Sequence, residues 1–475
     1  MKHLFALFLL SLFISEVYAE INVYFTHSID TSLANPNIAH GFVALDEKFI
    51  NRIHQSNFSI DFCFYNIWRW NIVDSLIAAY NRGVDVRVIT EHDHITNQAV
   101  QNIMNAGIPV IDDTYGNNNG DRYMHNKFAV FDFRDSSSVD DDWTWTGSYN
   151  ISDYGTESNA NNCIEIMNSE IARAYTLEFE EMWGSKTNTP NPDSSRFSLL
   201  KTDNTQHSFI VDSIPIELYF SPSDHSTPKI INAIATSDST LYFCIFAFTR
   251  QDVCDAMKSM WNAGISVKGV YDEGDWLGFF SKSRDMTGDP SSNNPWNPPA
   301  PVLPDSVSSP WGPELLHHKY MIIDADCQSD PLAITGSQNW SNNGEYYNDE
   351  NTLIIHSADI ANQFLQEFVE RYREAGGEYT ACKEEGHDLE PDPEKLSICV
   401  IPNPFTLLAE IRIQLTEDRS DIGFLSSDFS IQIYDTRGTL VKTIMPSSKN
   451  FHCGADLTPG IYFITLPGFC TTKLI

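Results

Sequence analysis

Apolar residues fall along this chain in two rhythms, one of period two and one near 3.6, and the order in which the rhythms follow one another occurs twice. Ile21 to Phe25 alternates as a strand. Ser59 to Tyr65 is a near-continuous apolar run of buried-strand type, Trp70 to Tyr80 is amphipathic at helical spacing with Gly83 as its stop, and Val84 to Ile89 is a further strand. The second half repeats the series with Ile216 to Phe220, Thr240 to Phe246, Gln251 to Asn262, Gly264, and Ile265 to Val270. Cys63 and Cys244 lie 181 residues apart, as do Gly83 and Gly264, and His125 and His317 lie 192 apart. Matched polar residues at matched offsets mark a duplicated half-chain. Each half closes with an amphipathic helix, Ser169 to Trp183 and Ala358 to Glu374. Strands alternating with helices of this length predict parallel-rich sheets covered on both faces. The expected class is α/β, with two pseudo-symmetric α/β/α sandwich repeats forming one bilobal body.

Breaks in the pattern divide the chain. Residues 1–19 have the charged, apolar, small-residue order of a secretory signal peptide, with cleavage expected after Ala19. The first repeat is placed at 20–184, a Ser-, Asn- and Pro-rich surface connection at 185–214, and the second repeat at 215–376. An acidic linker at 377–397 follows, and then short alternating strands at 398–475 predict a small all-β immunoglobulin-like sandwich. One stretch, Gly274 to Gly312, has no counterpart in the first half. Its Trp276, Phe279, Phe280 and Trp296, set among prolines, read as an ordered substrate lid.

The formal charge of −34 sets an unfavourable long-range field for polyanions and disfavours tight duplex nucleic-acid binding, though a local basic site can still take a phosphate. Nine cysteines, an odd number, lack metal-site spacing, and Cys63 and Cys244 sit inside apolar runs as buried thiols. No metal site and no cofactor are expected.

The chemistry lies in two copies of one stretch. His125-Asn-Lys-Phe-Ala-Val-Phe-Asp132 recurs as His317-His-Lys-Tyr-Met-Ile-Ile-Asp324, and Thr146-Gly-Ser-Tyr-Asn150 recurs as Thr335-Gly-Ser-Gln-Asn339. By the strand period His125 and Lys127 share a face, as do His317 and Lys319, whereas Asp132 and Asp324 fall on the other and read as structural. Two halves brought together offer two imidazoles, two ammonium groups and the amides of Asn150 and Asn339. The lysines and amides can hold phosphodiester oxygens while one imidazole attacks phosphorus and the other protonates the leaving oxygen.

These residues resemble the phospholipase D superfamily, whose hallmark is a duplicated H-x-K-x4-D followed by G-S-x-N. The resemblance covers about Ile21 to Gly376. It implies one active site shared by two α/β/α halves and a covalent phosphohistidine formed without metal. It leaves the substrate open, because members include phospholipases, lipid synthases and nucleases. The family commonly carries a carboxylate after G-S-x-N that orients the histidine. The second half has Glu350 there and the first has Asn161, with Ser148 and Ser337 among the supporting residues. Paired within each half, Glu350 would keep His317 protonated as general acid and Asn161 would leave His125 neutral as nucleophile. Glu157 and Glu165 are rivals for the orienting role in the first half.

The C-terminal Ile401-Pro-Asn-Pro-Phe405, Ile431 to Asp435 and Pro459 to Phe463 resemble the C-terminal sorting domain of type IX secretion substrates, which implies a secretion machinery as partner and a secreted or cell-surface product. The leading expectation is an exported monomeric phospholipase D acting on a glycerophospholipid head-group ester at a membrane surface. A secreted nuclease of the same mechanism is the alternative. From another class, a surface-displayed binding protein with an inactive catalytic body would fit the same features.

Overall fold

The structure, a computed structural model, describes residues 20–135, 137–305, 314–327 and 330–381, and the backbone of seven strands within 396–474. The expected leader and most of the acidic linker lie outside the described residues.

The first half folds as β1 (Glu20–Phe25), α1 (Leu45–Gln55), β2 (Ser59–Phe64), α2 (Trp70–Arg82), β3 (Asp85–Thr90), α3 (Gln98–Asn105), β4 (Val110–Asp112), β5 (Lys127–Phe131), β6 (Trp143–Gly147), α4 (Asp153–Glu157), β7 (Asn162–Met167) and α5 (Ser169–Trp183). The second half opens on β8 (Ser208–Val211) and repeats the order. It runs β9 (Ile214–Ser221), α6 (Ser226–Ile234), β10 (Thr240–Ile245), α7 (Gln251–Asn262), β11 (Ser266–Tyr271), α8 (Ser283–Met286), β12 (Val302–Pro304), β13 (Lys319–Ile323), β14 (Leu332–Gly336), α9 (Asn342–Tyr346), β15 (Glu350–Ile355) and α10 (Ala358–Glu374).

Local chemistry sets the element ends. Asn168 caps α5 by accepting the Glu170 and Ile171 N–H groups, and Ser357 caps α10 by accepting that of Ile360. Gly83 and Gly184 end their helices at φ +98° and +80°, which a side chain would resist. The strand order is β1-β7-β6-β5-β2-β3-β4 in one sheet and β12-β11-β10-β13-β14-β15-β9-β8 in the other. Only β2-β3-β4 and β10-β11-β12 pair in parallel, and every other neighbour in these two sheets is antiparallel. The expected parallel-rich sheet is therefore corrected to a mixed one. No long helix separates β5, β6 and β7, or their counterparts, so no crossover connection is available to make them parallel.

Three cores build five layers. The α1, α2 and α3 helices pack on one face of the first sheet, and α6 and α7 on the outer face of the second. Between the sheets lies a shared core in which Phe128, Tyr175, Phe179 and Phe220 meet Tyr242, Tyr320, Phe364 and Phe368, so α5 and α10 are central to both halves. Residues 20–381 accordingly belong to one compact unit.

Two expectations change here. The stretch after Gly184 is not wholly a surface connection, because Phe197 and Lys201 are buried and Ser208–Val211 joins the sheet as β8. Nor is Gly274–Gly312 without counterpart: its described part carries α8 and β12, which stand where α3 and β4 stand in the first half, and residues 306–313 lie outside the described residues.

The C-terminal unit is described by its strands alone: β16 (Leu396–Ile401), β17 (Ala409–Leu415), β18 (Ile431–Asp435), β19 (Leu440–Ile444), β20 (Asn450–Cys453), β21 (Tyr462–Leu466) and β22 (Cys470–Leu474). They form two antiparallel sheets, β16-β17-β20 and β19-β18-β21-β22. The residues between these strands, and with them the expected sandwich packing, lie outside the described residues. Among the described residues no helix is long and apolar enough to cross a membrane.

Candidate active site

Lys127 and Lys319 open β5 and β13, with His125 and His317 two residues before them at the same sheet edges. Each ammonium donates to the carbonyl of its own histidine at 2.7 Å. An aromatic ring lies beside each pair. Tyr65 lies 4.9 Å from the His125 ring and Phe246 lies 5.1 Å from the His317 ring, and the two lysines stand 5.3 and 4.8 Å from the same aromatic centroids. Tyr65 and Phe246 have no place in the sequence reading beyond strand residues. Their shared offset of 181 is the signal that could have found them.

The glycines of the G-S-x-N stretches sit at strand ends. Gly147 and Gly336 finish β6 and β14 at φ +148° and +145°. A Cβ there would stand 2.3 Å from the Asn162 carbonyl and 2.2 Å from that of Asn351. The close approach lets the Ser148 and Ser337 N–H groups donate to those carbonyls at 3.0 and 3.1 Å. Just beyond, the side-chain oxygens of Asn150 and Asn339 are buried and accept no hydrogen bond.

The orienting partners are exchanged between the halves. His125 Nδ1 lies 2.8 Å from both Glu350 carboxylate oxygens, and Ser337 donates to the same carboxylate at 2.7 Å. His317 Nδ1 lies 3.0 Å from Asn161 Oδ1, to which Ser148 donates at 2.9 Å. Pairing within each half is therefore corrected. The reason is a pair of β-bridges across the pseudo-dyad, Met124 with Asp349 and Ala160 with Leu316, which carry Glu350 to His125 and Asn161 to His317. Glu157 and Glu165 are engaged elsewhere, by Arg69 and Arg52 at 2.6 Å each.

Asp132 and Asp324 stand apart from this cluster. Asp132 accepts the N–H groups of Asn57, Phe58 and Ser59, and Asp324 those of Asp238, Ser239 and Thr240, so each carboxylate fixes the loop before β2 or β10. The aromatic residues of the expected lid divide. Phe279 and Phe280 are 81% and 71% exposed. Trp276 is half-buried against Tyr271, and Trp296 is 1% exposed within the outer core beside Trp261, where its apolar surface leaves water. Trp296 is thus a core residue and not part of a lid.

Electrostatically the site sets four buried basic groups around the Glu350 carboxyl. Burial brings the Lys127 ammonium down to about 7 against the pull of Glu350. Burial, with Lys127 nearby, drives Lys319 well below the ordinary range. Both imidazoles are held well below theirs by burial and by the two lysines, each of which acts on both rings. Burial pushes Glu350 up to about 8. These mutual effects place both histidines and both lysines in one field, which an incoming phosphodiester anion would relieve. Among the described residues the reacting groups include no cysteine, and Cys63 and Cys244 are buried free thiols in the core.

The family model for the cardiolipin synthase PLD-like domain matches residues 49–183 and 230–372, more than half of the chain and both halves of the site. Among curated proteins, the chain is similar to a mitochondrial cardiolipin hydrolase of Xenopus tropicalis, at 31% identity over 127 residues, covering 26% of this chain and 54% of the relative. It thus spans about half the length of the curated relatives it matches. Among solved structures, polyphosphate kinase from Porphyromonas gingivalis shares the fold, with a TM-score of 0.52 at 12% identity over 74% of this chain and 47% of that one. Nuc from Salmonella typhimurium, a phospholipase D family member, matches at 24% identity over 34% of this chain and 95% of that chain, with a TM-score of 0.28. With the duplicated motif meeting in one cluster and the family model spanning both halves, the chain belongs to the PLD-like family.

Proposed function

We propose that this protein is an exported phosphodiesterase that hydrolyses the head-group ester of a glycerophospholipid through a phosphohistidine. The observation that carries the reading is the exchanged pair of partners, a carboxylate on His125 and an amide on His317. With Nδ1–H of His125 donated to Glu350, its Nε2 lone pair is free to attack phosphorus. The carboxylate then stabilises the positive charge that the ring acquires as the N–P bond forms. Asn161 fixes the tautomer of His317 but does not hold a second proton, so Nε2–H of that ring, once protonated, is readily given up to the leaving oxygen as the P–O bond breaks. Water then attacks phosphorus from the same side, His317 takes its proton, and the N–P bond breaks to release the phosphate monoester. His125 remains the proposed nucleophile, on grounds opposite to those expected from pairing within each half. Lys127, Lys319, Asn150 and Asn339 are assigned the phosphate oxygens. One chain supplies the whole site, so a monomer suffices.

A lipid substrate is supported by the exposed apolar tip Leu277, Phe279 and Phe280, by the acidic surface, and by the activity named for the cardiolipin hydrolase relatives. Residues 1–19 and the C-terminal motifs support export to the cell surface by the secretion machinery. Purified protein is offered choline-releasing phospholipid vesicles and single-stranded DNA in parallel. Choline release that disappears in His125→Ala is expected. DNA cleavage without choline release would instead favour the nuclease reading, and turnover of neither would favour a binding protein.

A further inference from the structure

The carboxyl ends of β3 and β4 bring together Glu91, His92, Asp93 and Asp113, outside the site just described. Part of this arrangement belongs to both repeats. Glu91 Oε2 accepts the Met124 N–H at 2.7 Å, as Asp272 accepts the Leu316 N–H at 3.0 Å in the second half. Asp305 follows β12 as Asp113 follows β4, but the imidazole belongs to the first half, Glu273 standing in the place of His92. Glu91 and Asp113 are 0% and 2% exposed, and Glu91 Oε1 and Asp113 Oδ2 accept no hydrogen bond. One imidazole stands between them, with His92 Nδ1 at 2.9 Å from Glu91 Oε1 and 3.2 Å from Asp113 Oδ1. A ring nitrogen carries at most one proton and cannot donate fully to both. Two buried carboxyl groups against a single imidazole leave acceptor oxygens that no donor of the protein fills.

Three further features point to a cation. Glu91, His92 and Asp93 each bring a donor atom within 4.8 Å of one another, Glu91 and Asp113 facing Nδ1 of the ring and Asp93 Oδ1 lying 3.2 Å from its Nε2. Gly120, at φ +63°, passes so close that a Cβ would stand 3.1 Å from His92 Nδ1, so the absence of a side chain keeps that flank of the ring open. A cavity of about 360 Å³, lined by Asp113, Asn118, Asp121 and Arg122 and also by Phe197 and Leu200 among others, borders the cluster.

We propose that Glu91, His92 and Asp113, with Asp93 at the rim, bind one divalent transition-metal ion of the zinc or manganese class. A donor set of one imidazole and several carboxylates suits those ions, whereas calcium and magnesium take oxygen alone. The ion lies behind Met124, ties the ends of β3 and β4 to the segment that presents His125, and takes no part in the reaction.

The test uses the full chain stripped with a chelator and titrated by calorimetry with ZnCl2 and MnCl2, with MgCl2 as control and thermal unfolding alongside. One saturable equivalent of zinc or manganese is expected, with a melting temperature raised by several degrees. Affinity should fall at least tenfold in His92→Gln and Asp113→Asn but hold in His207→Gln, which alters the separate cluster of Asp203, His207 and Asp224. Absence of a saturable equivalent would overturn the proposal, as would binding that is lost in His207→Gln and kept in the other two. If Asp113→Asn does not fold, Asp93→Asn at the exposed rim replaces it, and unchanged affinity there and in His92→Gln overturns the proposal equally. Every readout is taken without substrate, so its failure is separate from failure of the proposed reaction.

Discussion

A carboxylate oxygen at Glu350 stands where Asn161 carries an amide nitrogen, and that difference makes two similar imidazoles unequal. Glu350→Gln should lower kcat by about a hundredfold or more with KM little changed, because the lost interaction strengthens only as the ring becomes charged. Single-turnover kinetics check this, and a loss under about threefold would remove the carboxylate from the mechanism. The two histidines separate by leaving group. With a nitrophenyl ester, whose leaving oxygen needs no proton, His317→Ala should recover much of its lost rate in the first burst of nitrophenol, which precedes hydrolysis of the phosphohistidine, while His125→Ala should recover none; recovery in both would contradict the assignment. The lysines make a pH prediction. An anion in the site raises the lowered value of Lys127, so binding takes up a proton wherever the free lysine is neutral, that is, above about 7. Affinity for a non-hydrolysable phosphonate monoester should therefore fall as pH rises through 7, with proton uptake in calorimetry run in two buffers. Affinity flat across that range would show that Lys127 is already charged in the free protein.

Elements were legible where their ends carry local chemistry. Ser169–Trp183 and Ala358–Glu374 match their expected bounds because Asn168, Gly184 and Ser357 cap them. Antiparallel pairing of β5, β6 and β7 was not legible, since their apolar runs resemble buried parallel strands and only the missing helices tell them apart. The exchange of Glu350 and Asn161 was equally hidden, because nothing within either repeat shows that Met124 pairs with Asp349. The connection between the repeats is where sequence reading lost most. Its Lys201 is fully buried, pairs with Glu178 of α5, and reaches Asp349 at 3.1 Å, beside Glu350. Lys201→Met would leave two buried carboxylates facing each other and should cost about 3–5 kcal/mol in urea unfolding. A loss under about 1 kcal/mol would mean the cluster binds a proton in place of the ammonium.

At the scale of the molecule, duplication supplies two incomplete sites, and the shared core of α5 and α10 turns them into one. That much follows from the repeated motif; the asymmetry follows only from the folded chain. An acidic body that exposes the apolar tip Leu277, Phe279 and Phe280 should meet lipid through that tip. Replacing both Phe279 and Phe280 by Ser should reduce turnover of vesicles severalfold and leave a soluble short-chain substrate unaffected, whereas equal loss on both would place the tip in the chemistry. The sharpest test of the mechanism is to quench the enzyme during turnover of a phosphorus-labelled lipid and map the acid-labile adduct by peptide mass spectrometry. Label on His125, absent in His125→Ala, is the predicted result; label on His317, or no histidine adduct at all, would contradict it.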